Sequence, residues 1–263
     1  MSTTSTRPAA CAGLFYPRAG AELRQLVERY LADAPPVTVH PRAIVVPHAG
    51  YPYSGPVAAA AYAAVRNVRD QVDRVLLLGP AHRVRMNGLG ATSATGFETP
   101  LGTIPVDRPL TERLLGLPAV HVADAAHAQE HALEVQLPFL CAVLERFTIV
   151  PLVVGRATHD EAAGVIELAL DQPGTLVVVS TDLSHFHDYE TARQVDAETS
   201  ASIVARAPER LDVSRACGHV ALGGLLVVAR RRGWSVAALD LRNSGDTGGP
   251  LDRVVGYGAY VFA

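Results

Sequence analysis

Apolar positions along the chain recur in two periods. Leu23, Leu26, Val27, Tyr30 and Leu31 fall at the spacing of an amphipathic helix, and Pro35 and Pro36 end it. Residues 42–47, 73–78, 147–154 and 175–180 are short apolar runs without polar alternation. They read as strands covered on both faces. Helices are predicted between them, over 54–65 (small and Ala-rich), 110–117, 130–146, 159–170, 189–207 and 218–232. In 130–146, Leu133, Leu137, Leu140 and Leu144 keep helical spacing while Pro138 predicts a kink or a break. Residues 83–106, rich in Gly, Thr and Asn, read as an antiparallel excursion. Residues 234–241 and 254–262 are the last strands, joined by a polar Gly-rich loop. Gly223 and Gly224 mark a closely packed helix. Strands alternating with helices predict a single α/β domain over 1–263. Its mixed, mostly parallel central sheet is covered by helices on both faces.

The ends of the strands hold the chemistry. The stretch TLVVVSTDLSHFHDY begins as a buried strand and empties into Asp182, Ser184, His185, His187 and Asp188. IVVPHAG does the same with His48, and VLLLGPAH with His82. Any one such stretch reads as a strand and a polar loop. Three together outline a site, because open α/β folds place ligands beyond the carboxyl ends of their strands.

His48 and His82 each sit in a rigid Gly/Pro turn, which suits a metal ligand, a base or a structural hydrogen-bonder. Asp182 and His185 share one side if Asp182 opens a helical turn, so the carboxylate would orient the imidazole. Alternatively, Asp182 or Ser184 caps the helix that follows. Cys217 precedes an apolar helix, whose N-terminus lowers a thiol's pKa; the other reading is a small buried hydrophobe. Glu130 and Glu134 either form an acidic first turn or aim into a cleft. Tyr51, His131, Glu134, His187 and His219 are the further residues expected around the pocket, and His127 joins them only by proximity in sequence. His40, His121 and His159 are expected at the surface.

Composition narrows the classes. Of 263 residues, 49% are hydrophobic and 19% charged, ample for a core. A net charge of −3 without a Lys/Arg run argues against a nucleic-acid groove or an anionic membrane surface. Arg230, Arg231 and Arg232 end an apolar helix, where the helix dipole favours them. No basic start followed by an apolar leader is visible, and no apolar stretch is long enough for a bilayer. Cys11, Cys141 and Cys217 do not form a disulfide pattern, so a reduced cytoplasmic protein is expected. GxGxxG, Walker, GxSxG and HExxH motifs are absent.

In order along the chain stand PAACAGLFYP, VVPHAGYPYSGPVAA, LLLGPAHR, EHALEVQLPFL, VVVSTDLSH, ACGHVALGGLL and VVGYGAYVF. On these segments the sequence resembles the Memo family, whose bacterial and archaeal members are called AmmeMemoRadiSam system protein B. The resemblance implies a fold similar to class III extradiol dioxygenases of the LigB type. It also implies a pocket binding iron or copper through His48, His82 and Cys217. Asp182 and His185 match the family's S-[ST]-D-x-x-H segment, in the region where the dioxygenases carry their acid/base histidine. Those dioxygenases use two histidines and a carboxylate. A thiolate in the carboxylate's place is softer and shifts the preference toward copper(I) or zinc. The expectation is a non-haem Fe(II) oxygenase or oxidase acting on a small organic substrate. The alternatives are a zinc-type hydrolase, or a non-catalytic scaffold working with AMMECR1-type and radical SAM partners.

Overall fold

The four apolar runs pair side by side at the centre of one sheet. The computed structural model describes residues 5–263. The chain begins with α1 (Gly20–Asp33), β1 (Ala43–Val46), α2 (Tyr51–Val65) and β2 (Arg74–Pro80). Then come β3 (Leu89–Ala91), β4 (Gly96–Thr99), β5 (Gly102–Pro105), α3 (Arg108–Leu114), β6 (Val120–Val122) and α4 (Asp124–Ala128). Next are α5 (His131–Glu134), α6 (Leu137–Val143), β7 (Thr148–Val154), α7 (His159–Leu170), β8 (Thr175–Ser180) and β9 (His185–His187). The chain closes with α8 (Tyr189–Val204), α9 (His219–Arg231), β10 (Val236–Asn243) and β11 (Val254–Phe262).

Across the sheet the order is β10-β11-β1-β8-β2-β7-β3-β6, with β9 pairing on β11. β1, β8, β2 and β7 run parallel. Antiparallel neighbours close both flanks, β11 on β1 and β3 on β7. β4 and β5 form a separate hairpin.

Alternate residues of the central strands enter two cores. Ile44, Val46, Val75 and Leu77 face the layer of α1, α2 and α6, where Leu23, Val27 and Leu31 are buried. Ala43, Val45, Leu76 and Leu78 face α7 and α9. Both faces are therefore apolar, and each Val or Leu sealed there contributes roughly 1.5–3 kcal/mol. The α/β domain with a parallel centre and helices on both faces is the architecture expected from the sequence. α7 and α9 approach closely: a Cβ on Gly224 would lie 2.6 Å from that of Ala162, and one on Gly223 would meet the His159 ring. His159 is therefore half-buried between helices rather than a surface residue.

Other departures have local causes. The helix expected from residue 54 begins at Tyr51, because Pro52 fits a first turn that needs no donor. The helix expected over 130–146 breaks between α5 and α6, with Pro138 in the first turn of α6. β6 and α4 have no counterpart in the sequence reading. No helix starts at Asp182: residues 185–187 form β9, and α8 opens at Tyr189, capped by Asp188 accepting from the Thr191 N–H. Among the described residues no helix is long and apolar enough to cross a membrane.

Candidate metal centre

Three adjacent parallel strands, β1, β8 and β2, each place a polar residue two positions past their last residue. These are His48, Asp182 and His82. Because β8 lies between the other two, Asp182 sits between the histidines. Its Oδ1 accepts the His48 backbone N–H at 2.8 Å, and its Oδ2 lies 3.9 Å from His48 Nε2.

His131, the first residue of α5, completes a group with them. One ligand atom each from His48, His82 and His131 lie within 4.8 Å of one another, which makes the trio able to hold a metal ion. The rings of His82 and His131 stack at 4.6 Å, and His48 meets both edge-on. Cys217, just ahead of α9, is outside this three-way group but touches it, with Sγ 3.4 Å from His48 Nε2. That sulfur also receives the Asp182 N–H at 3.3 Å.

Hydrogen bonds fix the tautomers of the two strand-end histidines. Ser180 Oγ donates to the Ala132 carbonyl and accepts from Gln136 Nε2, at 2.7 and 2.8 Å. Its proton is thus spent, and toward His48 Nδ1, 2.9 Å away, it can only accept. His48 therefore carries its proton on Nδ1 and a free lone pair on Nε2. His82 repeats the arrangement with a carboxylate: its Nδ1 donates to Glu130 Oε1 at 2.9 Å, while Glu130 Oε2 takes the His82 backbone N–H at 2.7 Å. Its Nε2 is also left free, as metal-binding imidazoles require. His131 Nδ1 lies 3.2 Å from Glu130 Oε1 without hydrogen-bond geometry and has no partner among the described residues.

Electrostatics agree with this division. Burial and the neighbouring His82 hold His48 well below the usual histidine range. Burial and the other two imidazoles bring His131 down to about 4. Burial opposes ionisation of Glu130, but the hydrogen bond and charge of His82 outweigh it and hold the carboxyl at about 2. His48 and His131, held neutral beside an ionised orienting carboxylate, form a receptive donor set. Burial pushes Asp182 above the usual carboxylate range, against the pull of the His48 N–H and the imidazoles of His185, His131 and His82. Cys217 does not show the lowered pKa expected at a helix start. Burial and the Asp182 charge push its thiol up to about 12; a cation bound beside it would draw that value down.

His185 stands at the start of β9. Its Nδ1 lies 2.9 Å from the Leu183 carbonyl, so Nδ1 is the donor and Nε2 the atom left for exchange with a substrate. Leu183, not Asp182, therefore orients it, and no hydrogen bond joins Asp182 to His185 among the described residues. The following Phe186 adopts a left-handed backbone (φ 66°), uncommon for an aromatic residue. Its exposed ring lies under Arg253 at 4.3 Å.

Other expected pocket residues take different places. Tyr51 is core: its ring packs on Tyr16 and Phe139, and its hydroxyl donates to the Val135 carbonyl at the α5–α6 break. Glu134 points away from the histidines and is fully buried. It pairs with Arg7 and accepts from the Ala10 and Cys11 N–H groups and the Tyr16 hydroxyl. His127 is buried with Nε2 on the Gly90 carbonyl. His187 is half-buried and pairs with Val254 on β11. His219 lines a cavity of about 330 Å³ beside Cys217. A larger cavity, about 580 Å³, lies near the amino ends of β2 and β7 and is lined by none of these groups.

Sequence reasoning missed Ser180 and Gln136. Gln136 spans the Pro47 carbonyl, Ser180 and the Tyr62 hydroxyl from inside the helix break. The signal was Pro138, whose predicted break turns this buried side chain toward the strand ends.

Fold and site together define an α/β protein with a histidine-rich candidate metal centre at the carboxyl ends of parallel strands. Residues 7–261 match the family profile described as "Memo-like protein". A "MEMO1 family protein" of Aquifex aeolicus is 34% identical over 97% of this chain and 98% of its own length. Another, of Methanosarcina mazei, is 34% identical over the same shares. One from Thermotoga sp. strain RQ2 is 34% identical over 95% of this chain and 97% of its own. The chain belongs to the Memo family.

Proposed function

We propose that the protein is a non-haem metal-dependent oxidoreductase, an oxygenase or oxidase of a small organic substrate, with Fe(II) as its metal. The observation that carries this reading is the pair of fixed tautomers, which leaves the Nε2 lone pairs of His48 and His82 free. Imidazole suits iron, copper and zinc alike. The remaining protein ligand is Cys217, as the resemblance implies, or His131, as the geometry suggests. A metal bound there supplies Lewis acidity and a path for electrons between substrate and oxidant.

The chain's own residues supply the rest. His185, its ring steadied through Nδ1, accepts a proton at Nε2 from an acidic hydroxyl of the substrate. Asp182, whose burial raises its pKa above the usual carboxylate range, is a second group able to hold a proton. Glu130, Ser180 and Gln136 keep the ligand rings from turning.

A second reading rests on the three imidazoles. Three histidines and an open position also suit a catalytic zinc that activates water for hydrolysis. Anaerobic reconstitution with Fe(II), followed by oxygen-uptake measurements with catechols, separates the two. Substrate-dependent oxygen consumption supports the oxidoreductase. Stoichiometric zinc on isolation, with no oxygen uptake by the iron-loaded protein, supports the hydrolase.

A further inference from the structure

The cavity of about 330 Å³ beside Cys217 lies past the carboxyl ends of β2 and β7, and its walls include Pro80, Val154, Arg85, Arg156 and the first residues of α9. No carboxylate lines it, although the chain as a whole carries a net charge of −3. Many arginines elsewhere pair with acidic residues, among them Arg7, Arg74, Arg215, Arg231 and Arg242. Arg85 and Arg156 are exposed and make no ion pair or side-chain hydrogen bond among the described residues.

The start of α9 adds donors to the same wall. This 13-residue helix has neither a capping side chain nor an acidic residue in its first turn. The backbone N–H groups of Val220 and Ala221, both on the cavity wall, meet no acceptor among the described residues. Unpartnered N–H groups at a helix start, aligned with the helix dipole, can take an anion. Two unpaired guanidinium groups and two free N–H groups thus face a space large enough for a small molecule.

We propose that this cavity is an anion subsite, in which Arg85, Arg156 and the amino end of α9 take the carboxylate or phosphate group of a small organic substrate. The subsite rests on the metal-centre reading only for its place beside a reacting centre; anion binding itself does not require a metal.

The test is calorimetric titration of chelator-treated, metal-free protein at low ionic strength, with inorganic phosphate and with benzoate as separate probes. Saturable binding of at least one probe is expected. It should weaken about tenfold or more in R85Q/R156Q, as loss of charge-assisted hydrogen bonds implies, and stay unchanged in R66Q/R113Q, which alters arginines remote from the cavity. The tighter probe identifies the anion. Saturable binding of neither probe, or equal affinity in wild type and R85Q/R156Q, overturns the proposal. If the protein binds an anion but takes up no metal, the subsite stands and the metal-centre reading falls.

Discussion

Glu130 holds His82 at two points, by the ring Nδ1 at 2.9 Å and by the backbone N–H at 2.7 Å. One carboxylate thereby sets both the position of the turn after β2 and the tautomer of the ring it presents. Glu130→Gln keeps the shape and removes the charge, so metal affinity should fall about 10- to 100-fold, the usual effect of losing a ligand's orienting partner. Chelator competition measures it, and an unchanged affinity would show that Glu130 does not tune the site.

The second expectation concerns the third ligand. Cys217 and His131 both neighbour His48, one by sulfur contact and the other within the imidazole group. In cobalt(II)-loaded protein a Cys217 thiolate ligand gives sulfur-to-metal charge-transfer absorption that C217S abolishes. If the band is missing from the wild type, His131 takes the role, and His131→Ala should then lower cobalt affinity.

Arg7 and Glu134 form a fully buried pair that ties the amino-terminal segment to α5. Arg7→Met leaves the Glu134 charge uncompensated and should destabilise the fold by about 3–5 kcal/mol. Urea unfolding reads this directly; a loss under about 1 kcal/mol would mean the pair is no more than an exposed ion pair in effect.

Much of this frame is legible in the sequence. The four apolar runs became the four parallel strands, because residues buried on both faces leave no polar alternation to misread. His48 and His82 stood out because rigid Gly/Pro turns followed two of those runs. The break near Pro138 was legible, but not its consequence: it turns His131 and Gln136 toward strand ends distant in sequence. β9 was hidden because three residues carry no periodicity and their pairing with β11 is long-range. That pairing moved His185 off the helical turn which would have set it beside Asp182. Glu134, spaced like a partner of Glu130, faces Arg7 instead, because Glu130 is the extended N-cap of α5 and not part of its first turn.

Acid should weaken the metal-free fold. Burial holds His127 and His131 near 4, below the ordinary 6.5. The unfolded chain therefore binds more protons between those values, and stability is complete above pH 6.5 and lost as pH falls toward 4. The loss from about pH 7.5 to about pH 5 is on the order of 2 kcal/mol per group. Glu130, held at about 2, adds a further loss below 4.5. Urea midpoints at the two pH values test this, and equal midpoints would contradict it.

The central claim is that His48 and His82 hold the metal while His185 handles protons. Iron content after anaerobic Fe(II) reconstitution, measured in parallel on wild type, His82→Ala and His185→Ala, tests it most directly. Stoichiometric iron in wild type and His185→Ala, with little in His82→Ala, is the expected result. Iron-free wild type, or full iron retention by His82→Ala, would contradict it.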